Sequence, residues 1–270
     1  MTLFIDIGTN GEIVVGNKDW MTCASCSAGP AFEGGGIKFG MRAGRGAIEQ
    51  VGINPSTYEP MVLTIGRAKP AGICGSGLIG LAAELFAVGL IDQNGRFVRD
   101  LATERVREGE SGWEYVISFS AETAIGRDIT LTEVDLDNLM RAKAALYAGC
   151  KVLLESVGLS FKDLDRVIIA GGFGHYLDIE KAITIGLLPD LPEEKFTFVG
   201  NGSLLGARLL SFSRDLLMEA ERIARTMTNI ELSTSITFMD EFIAAMFIPH
   251  TDMEAFPSVK VEPKTIKAGQ

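Results

Sequence analysis

An α/β fold with a small subdomain inserted over residues 93–158 is what this 270-residue sequence predicts. Three observations predict it. The chain opens on two β-branched runs joined by a turn of small polar residues, FIDIGTNGEIVV, which reads as a hairpin. Later apolar runs, RVII and FTFV, enter glycine turns directly. Between them, residues 133–157 carry Leu136, Leu139, Met140, Ala144, Leu146, Val152, Leu153 and Val157 mostly at helical spacing.

The elements follow in order. Strands are expected at residues 3–7, 12–15 and 20–24, separated by the GTNG turn and by Gly16-Asn-Lys-Asp, making a meander. Residues 25–70 are glycine-rich and read as irregular working loops over a rigid scaffold. GICGSGLIGLAAELFAVGLID reads as a glycine turn entering a helix that ends near Gly89. A polar section over residues 93–130 holds one strand at 113–118. The long amphipathic helix at 133–157 then stops at Gly158. After the strand RVII come a strand at 196–199, a helix at 203–211 that Ser203 is placed to cap, a helix at 214–225, a strand at 230–232 and a helix at 238–247. Residues 1–92 and 159–250 thus form the main unit, 93–158 the insertion and 251–270 a tail.

Composition narrows the function. A hydrophobic content of 47 % supports a substantial core, and no apolar run approaches the roughly 20 residues that span a bilayer. The N-terminus lacks the basic and apolar regions of a secretory signal, so a cytoplasmic, membrane-free protein is expected. The net charge of −10, with none of the 25 basic residues gathered in a run, argues against a nucleic-acid partner. Four cysteines, Cys23, Cys26, Cys74 and Cys150, include one C-x-x-C without a second pair, which reads as structural.

Four glycine turns at element boundaries are the candidate site. In the hairpin, Gly8 and Gly11 let a phosphate approach the backbone, the amides of Thr9 and Asn10 can donate to it, and Asp6 can hold Mg2+ through a water. Glu12 either orients a water or faces solvent. AGGFG at 170–174 follows a buried strand, where ligands of α/β sheets lie against the main chain. GNGSLLGA at 200–207 and GICGSG at 72–77 each lead into a helix whose free amides suit an anion. Glu33, Arg42, Arg45 and Glu49 lie in the glycine-rich region and either contact a partner or close over a ligand. His175 and His250 read as surface or capping residues.

In this order the turns resemble the actin-like, ribonuclease H-like ATPase superfamily of acetate and sugar kinases, heat-shock chaperones and actin. DIGTNGE, AGPAFEGGGIKFGMRAGRGAIE, KPAGICGSGLI, AGGFGHYLDIEKAITIGLLPD and GNGSLLGA look narrower still. They resemble the C-terminal ATPase (ASKHA) domain of reductive activators of corrinoid proteins, over residues 3–246. The resemblance implies ATP and Mg2+ as cofactors. It also implies a corrinoid methyl-transfer protein as partner, whose cob(II)amide is returned to cob(I)amide. It places the electron-carrying iron–sulfur cluster in a separate ferredoxin-like segment that these cysteines do not supply. Gly171, Gly172 and Phe173 then match the adenosine motif, and Arg141 and Lys143 sit on the helix that approaches base and ribose in such folds.

In the family pattern an earlier Asp-Gly hairpin precedes DIGTNGE, so the chain is expected to be one lobe of a two-lobed ATPase, completed by a further lobe or subunit. The alternative, a small complete ATPase with DIGTNGE as its first phosphate motif, has no other Asp-x-Gly hairpin before AGGFG to draw on. Two further functions stay open: a docking module for the corrinoid protein without catalysis of its own, and a small-molecule kinase of the same superfamily.

Overall fold

A computed structural model describes residues 1–99, 101–172 and 177–260. The N-terminal meander forms as its β-branched runs dictate: β1 (Thr2–Ile7), β2 (Gly11–Gly16) and β3 (Met21–Cys26) pair antiparallel, with Ile7 opposite Gly11 and Asp6 opposite Glu12. Alternation sends Leu3, Ile5, Ile7, Ile13 and Val15 to one buried face and Phe4 and Asp6 to the other.

After β3 the chain leaves this sheet. A 3-10 turn at Pro30–Glu33 leads to β4 (Ala47–Ile53), β5 (Pro60–Thr64) and β6 (Gly72–Ile73), a small sheet of order β5-β4-β6 on which α1 (Gly75–Ala87) packs. The expectation of irregular loops over residues 25–70 is therefore corrected. In β4, Glu49, Gln50 and Gly52 interrupt the apolar alternation that marks a strand, while burial of Ala47, Ile48, Val51 and Ile53 against its neighbours still holds it. A third sheet, antiparallel throughout, follows from β7 (Val106–Gly109), β8 (Gly112–Ser118) and β9 (Ile129–Thr132).

A capping box starts α2 (Glu133–Glu155): Asp135 donates its backbone N–H to Thr132 Oγ1 at 3.1 Å, and the Thr132 N–H returns to Asp135 Oδ2 at 2.9 Å. Sequence reading groups this helix with the insertion, yet α2 packs on β2 and β3 of the main sheet. Two small residues permit the approach. A Cβ on Gly149 would lie 2.8 Å from Ile13 Cδ1, and one on Gly11 2.1 Å from Leu146 Cδ2.

The chain then returns through β10 (Arg166–Gly171), α3 (Ile179–Thr184), β11 (Phe196–Gly200), α4 (Gly202–Phe212), α5 (Arg214–Thr226), β12 (Met227–Asn229) and α6 (Ile236–Ala244). The six-stranded order is β11-β10-β1-β2-β3-β12, with β10 parallel to β1 and β11 parallel to β10. The last strand lies three residues before its expected place. Pairing with β3 decides its position, and Ile230 N–H still reaches Cys23 O at 2.8 Å.

The two faces of this sheet differ. Phe4 and Asp6 look toward α4, whose Gly202 would place a Cβ 3.6 Å from Phe4 Cζ and 3.9 Å from Asp6 Oδ2. On α4 and α5 no residue is fully buried, and Leu204, Phe212 and Met218 stand in solvent, Phe212 at 78 % exposure. Among the described residues no helix is long and apolar enough to cross a membrane.

Candidate functional site

Three of the four glycine turns meet at one cleft of about 660 Å³ at the carboxyl ends of β1 and β10, and the hairpin turn after Ile7 lies beside it. Ile7, Gly172 and Asn201 line its sheet side, Cys74, Gly75 and Ser76 bring the first turn of α1, and Phe32, Glu33 and Arg42 come from the loop after β3. The volume falls in the range of roughly 300–1,000 Å³ typical of small-molecule sites.

Two helices of more than two turns, α1 and α4, begin at this cleft. Their first amides lack intrahelical partners, and the aligned peptide dipoles add partial positive charge there. For α4 the cap is Asn201, whose Oδ1 accepts from Leu204 N–H at 2.8 Å, and not Ser203. The hydroxyl of Ser203 instead donates to Asp6 Oδ2 at 3.3 Å. Arg42 supplies a cation to the lining, and Glu33 and Glu49 supply carboxylates.

The residues expected from sequence separate into groups. Gly8 is half-buried, Thr9 and Asn10 are exposed at the hairpin tip, and a Cβ on Gly8 would lie 3.7 Å from Glu33 Oε1. Asp6 and Glu12 face each other across the β1–β2 ladder, on the α4 side of the sheet. Gly172 lines the cleft with nothing within 4 Å of the place a Cβ would take, so its backbone is open to a ligand. Gly171 has a different reason to be glycine. Its φ is +114°, and a Cβ there would meet Ile7 O at 2.2 Å. Phe173, Gly174 and His175 lie outside the described residues.

The expectations for Gly11 and Lys143 change as well. Gly11 is buried, and the room left by its missing side chain is filled by Leu146 and Cys26, so it serves packing of α2 on the hairpin. Lys143 does not reach a base or ribose. It is fully buried, its ammonium donates to the carbonyls of Phe247 and Pro249, the latter at 2.7 Å, and burial pushes its pKa well down. Arg141, two residues earlier, is exposed.

Other polar groups hold the walls. Lys38, on the loop that carries Arg42, donates its backbone N–H to Asp135 Oδ1 at 2.7 Å and its ammonium to Glu114 Oε2 at 2.9 Å. His250 is buried rather than on the surface. Its Nδ1 accepts from Asp252 N–H at 2.9 Å, which leaves Nε2–H to donate to Glu241 Oε1, also at 2.9 Å. Cys23 and Cys26 fall on opposite faces of β3, three residues apart in an alternating strand, so they do not form a chelating pair. Burial pushes the Cys26 thiol up to about 12, in keeping with a structural role. Among the described residues no three His, Cys, Asp or Glu side chains gather to hold a metal.

Of the four charged residues expected either to contact a partner or to close over a ligand, Glu33, Arg42 and Glu49 line the cleft, and Arg45 is not among its lining residues. Sequence reasoning missed Asn201 as the cap of α4, although Asn is as good a capping residue as Ser.

Known proteins resemble this chain in sequence and fold. The family model described as the C-terminal domain of RACo, the ASKHA domain, matches residues 1–260. The corrinoid activation enzyme RamQ of Eubacterium limosum is 40 % identical over 250 residues, covering 90 % of this chain and 42 % of RamQ. The [Co(II) methylated amine-specific corrinoid protein] reductase of Methanosarcina barkeri is 28 % identical over 272 residues, covering 91 % of the chain and 45 % of that protein. A solved structure of a reductive activator for a corrinoid, iron-sulfur protein superimposes with a TM-score of 0.93 at 56 % identity, over 96 % of this chain and 41 % of that one. The chain thus spans less than half the length of the relatives it matches.

Proposed function

Since the chain belongs to the family of the C-terminal ASKHA domain of RACo, we propose that it is the nucleotide-binding part of an ATP-dependent reductive activator. The whole protein returns the cob(II)amide of a corrinoid methyl-transfer protein to cob(I)amide. The observation that carries this reading is the meeting of the glycine turns and two helix N-termini at one cleft beside the β1–β2 hairpin.

In this reading Gly172 brings bare backbone to the adenosine, and Gly171 takes the left-handed turn that presents it. Phosphate oxygens take hydrogen bonds from the free amides of α1 and α4 and from the Thr9–Asn10 turn. Asp6, steadied by Ser203, holds Mg2+ through water, in keeping with an ion that is usually bound by one or two carboxylates together with phosphates. Arg42 adds positive charge for the transferring phosphoryl group. A further lobe supplies the opposite wall, and hydrolysis to ADP alters the geometry between lobes, which gates docking and reduction. Electrons reach the cobalt from a cluster carried outside this chain, because Cys23, Cys26, Cys74 and Cys150 do not form a ligand set.

Calorimetric titration with Mg-ATP tests the assignment, with Asp6→Ala as the comparison. Saturable binding that Asp6→Ala weakens about tenfold, near 1.4 kcal/mol, supports it. Equal affinity in both proteins removes the Mg2+ role from Asp6. No binding by the chain, and none when a first lobe is supplied, sinks the nucleotide reading.

A second reading draws on Leu204, Phe212 and Met218, whose exposure is unusual for large apolar side chains clustered on two helices. In it the chain is a docking module for the corrinoid protein and does not turn over nucleotide. Capture of that protein to the same extent with and without ATP favours this second reading, and capture that depends on ATP favours the first.

A further inference from the structure

The inference concerns the chemistry of the cleft and rests on the nucleotide reading above. We propose that Glu33 is the general base of ATP hydrolysis. Its carboxylate takes the proton of the water that attacks the terminal phosphate.

The residue lines the cleft beside the Gly8 turn, on a rigid backbone. Pro30 starts the 3-10 turn with its fixed φ, and Ala31 and Phe32 are buried as anchors. Gly34, at a φ of 85°, closes the turn with its N–H on Ala31 O at 3.0 Å, and Gly35 N–H adds a bond to Pro30 O at 2.9 Å. One further bond ties the loop to the hairpin: Gly29 N–H donates to Thr9 O at 2.8 Å. The Glu33 side chain, in contrast, is exposed and points along the cleft, with Oε1 3.7 Å from the position of a Cβ on Gly8.

Its carboxylate makes no hydrogen bond or ion pair with any described residue, which leaves both oxygens free for a water. The neighbouring acids are placed for other work. Asp6 accepts from Ser203, and Glu12 stands opposite Asp6 on the α4 side of the sheet. Glu49 lines the same cleft from β4 but also borders the adjoining groove beside Lys181.

The step balances with water and ATP alone. The water oxygen forms a bond to the terminal phosphorus as the bridging P–O bond breaks and its electron pair leaves with ADP. The water proton passes to a Glu33 oxygen and from there to solvent.

Single-turnover hydrolysis in the full-length protein, read by rapid quench beside calorimetric Mg-ATP affinity, decides the matter. Glu33→Gln keeps the shape of the exposed side chain and removes the basic oxygen. The expected result is a rate about 100-fold lower with affinity within about threefold, and Glu33→Asp recovers part of the rate. A Glu33→Gln rate within about threefold of wild type overturns the proposal, as does loss of affinity in step with rate. A collapse of the rate in Glu49→Gln with Glu33→Gln active overturns it in favour of the other acid. A wild-type protein that binds Mg-ATP without hydrolysing it removes the base alone, whereas one that binds none removes the nucleotide reading itself.

Discussion

Gly11 distinguishes a packing glycine from a phosphate-contacting one, and Gly11→Ala is the perturbation that separates them. The added methyl would arrive 2.1 Å from Leu146 Cδ2 and 2.9 Å from Cys26 Sγ. Neither atom is the end of a long flexible chain. Overpacking of this kind costs about 1–3 kcal/mol. At about 2 kcal/mol, the midpoint of thermal unfolding falls by roughly 4–8 °C for a domain of this size. Leu146→Ala alone opens a cavity and costs about 2–5 kcal/mol, since Leu146 is buried against the hairpin. In the double variant the new methyl occupies vacated space. The pair is then expected to be less destabilised than the sum of the single variants, by roughly 1–2 kcal/mol. Urea denaturation at constant slope measures all four proteins. A Gly11→Ala protein within about 0.5 kcal/mol of wild type, or strict additivity in the cycle, refutes the packing account. Loss of Mg-ATP affinity at undiminished stability would return Gly11 to the phosphate site.

Two other outcomes follow from the same geometry. Gly171→Ala forces a side chain onto a φ of +114° and against Ile7 O, and lowers stability by about 1–3 kcal/mol or more. Gly172→Ala, with open space around it, leaves stability within about 0.5 kcal/mol and weakens Mg-ATP binding several-fold; denaturation and calorimetry on the pair check both. At Glu114, burial alone would raise the carboxyl. Hydrogen bonds from Lys38 and Thr130, the Lys38 charge and Arg107 outweigh it and hold the group below its ordinary 4.5. Its stabilisation is therefore present above pH 4.5 and lost as pH falls through the lowered folded value. Glu114→Gln is expected to cost about 1–3 kcal/mol at pH 7, the partners being partly exposed, and to flatten the acid limb of a stability-against-pH series. An unchanged acid limb would refute it.

Much of the fold was legible because its signals are local. The β-branched runs of β1, β2, β10 and β11 and the Thr132 cap of α2 are set by residues within a few positions of each other. β4 and β5 were not legible, since their weak alternation is held by burial against each other and against α1. The site divides along the same line. Sequence placed glycine turns at strand ends and pointed to one family, and three of the four turns do meet at a cleft, with the hairpin beside it.

What each glycine does was beyond its reach. Gly11 and Gly172 look alike in a motif, but one is pressed by Leu146 from a helix more than a hundred residues away and the other borders open space. Lys143 reads as a cation on a helix face until the chain returns at Phe247 and Pro249 to surround it. Glu33 is one acid among several until the bond from Gly29 to Thr9 sets its loop beside the hairpin. The sequence by itself determined the elements, the turns and the family, because backbone preference and capping act over neighbouring residues. Only the tertiary structure decided which side chains share the cleft, because burial and contact depend on segments that meet after folding.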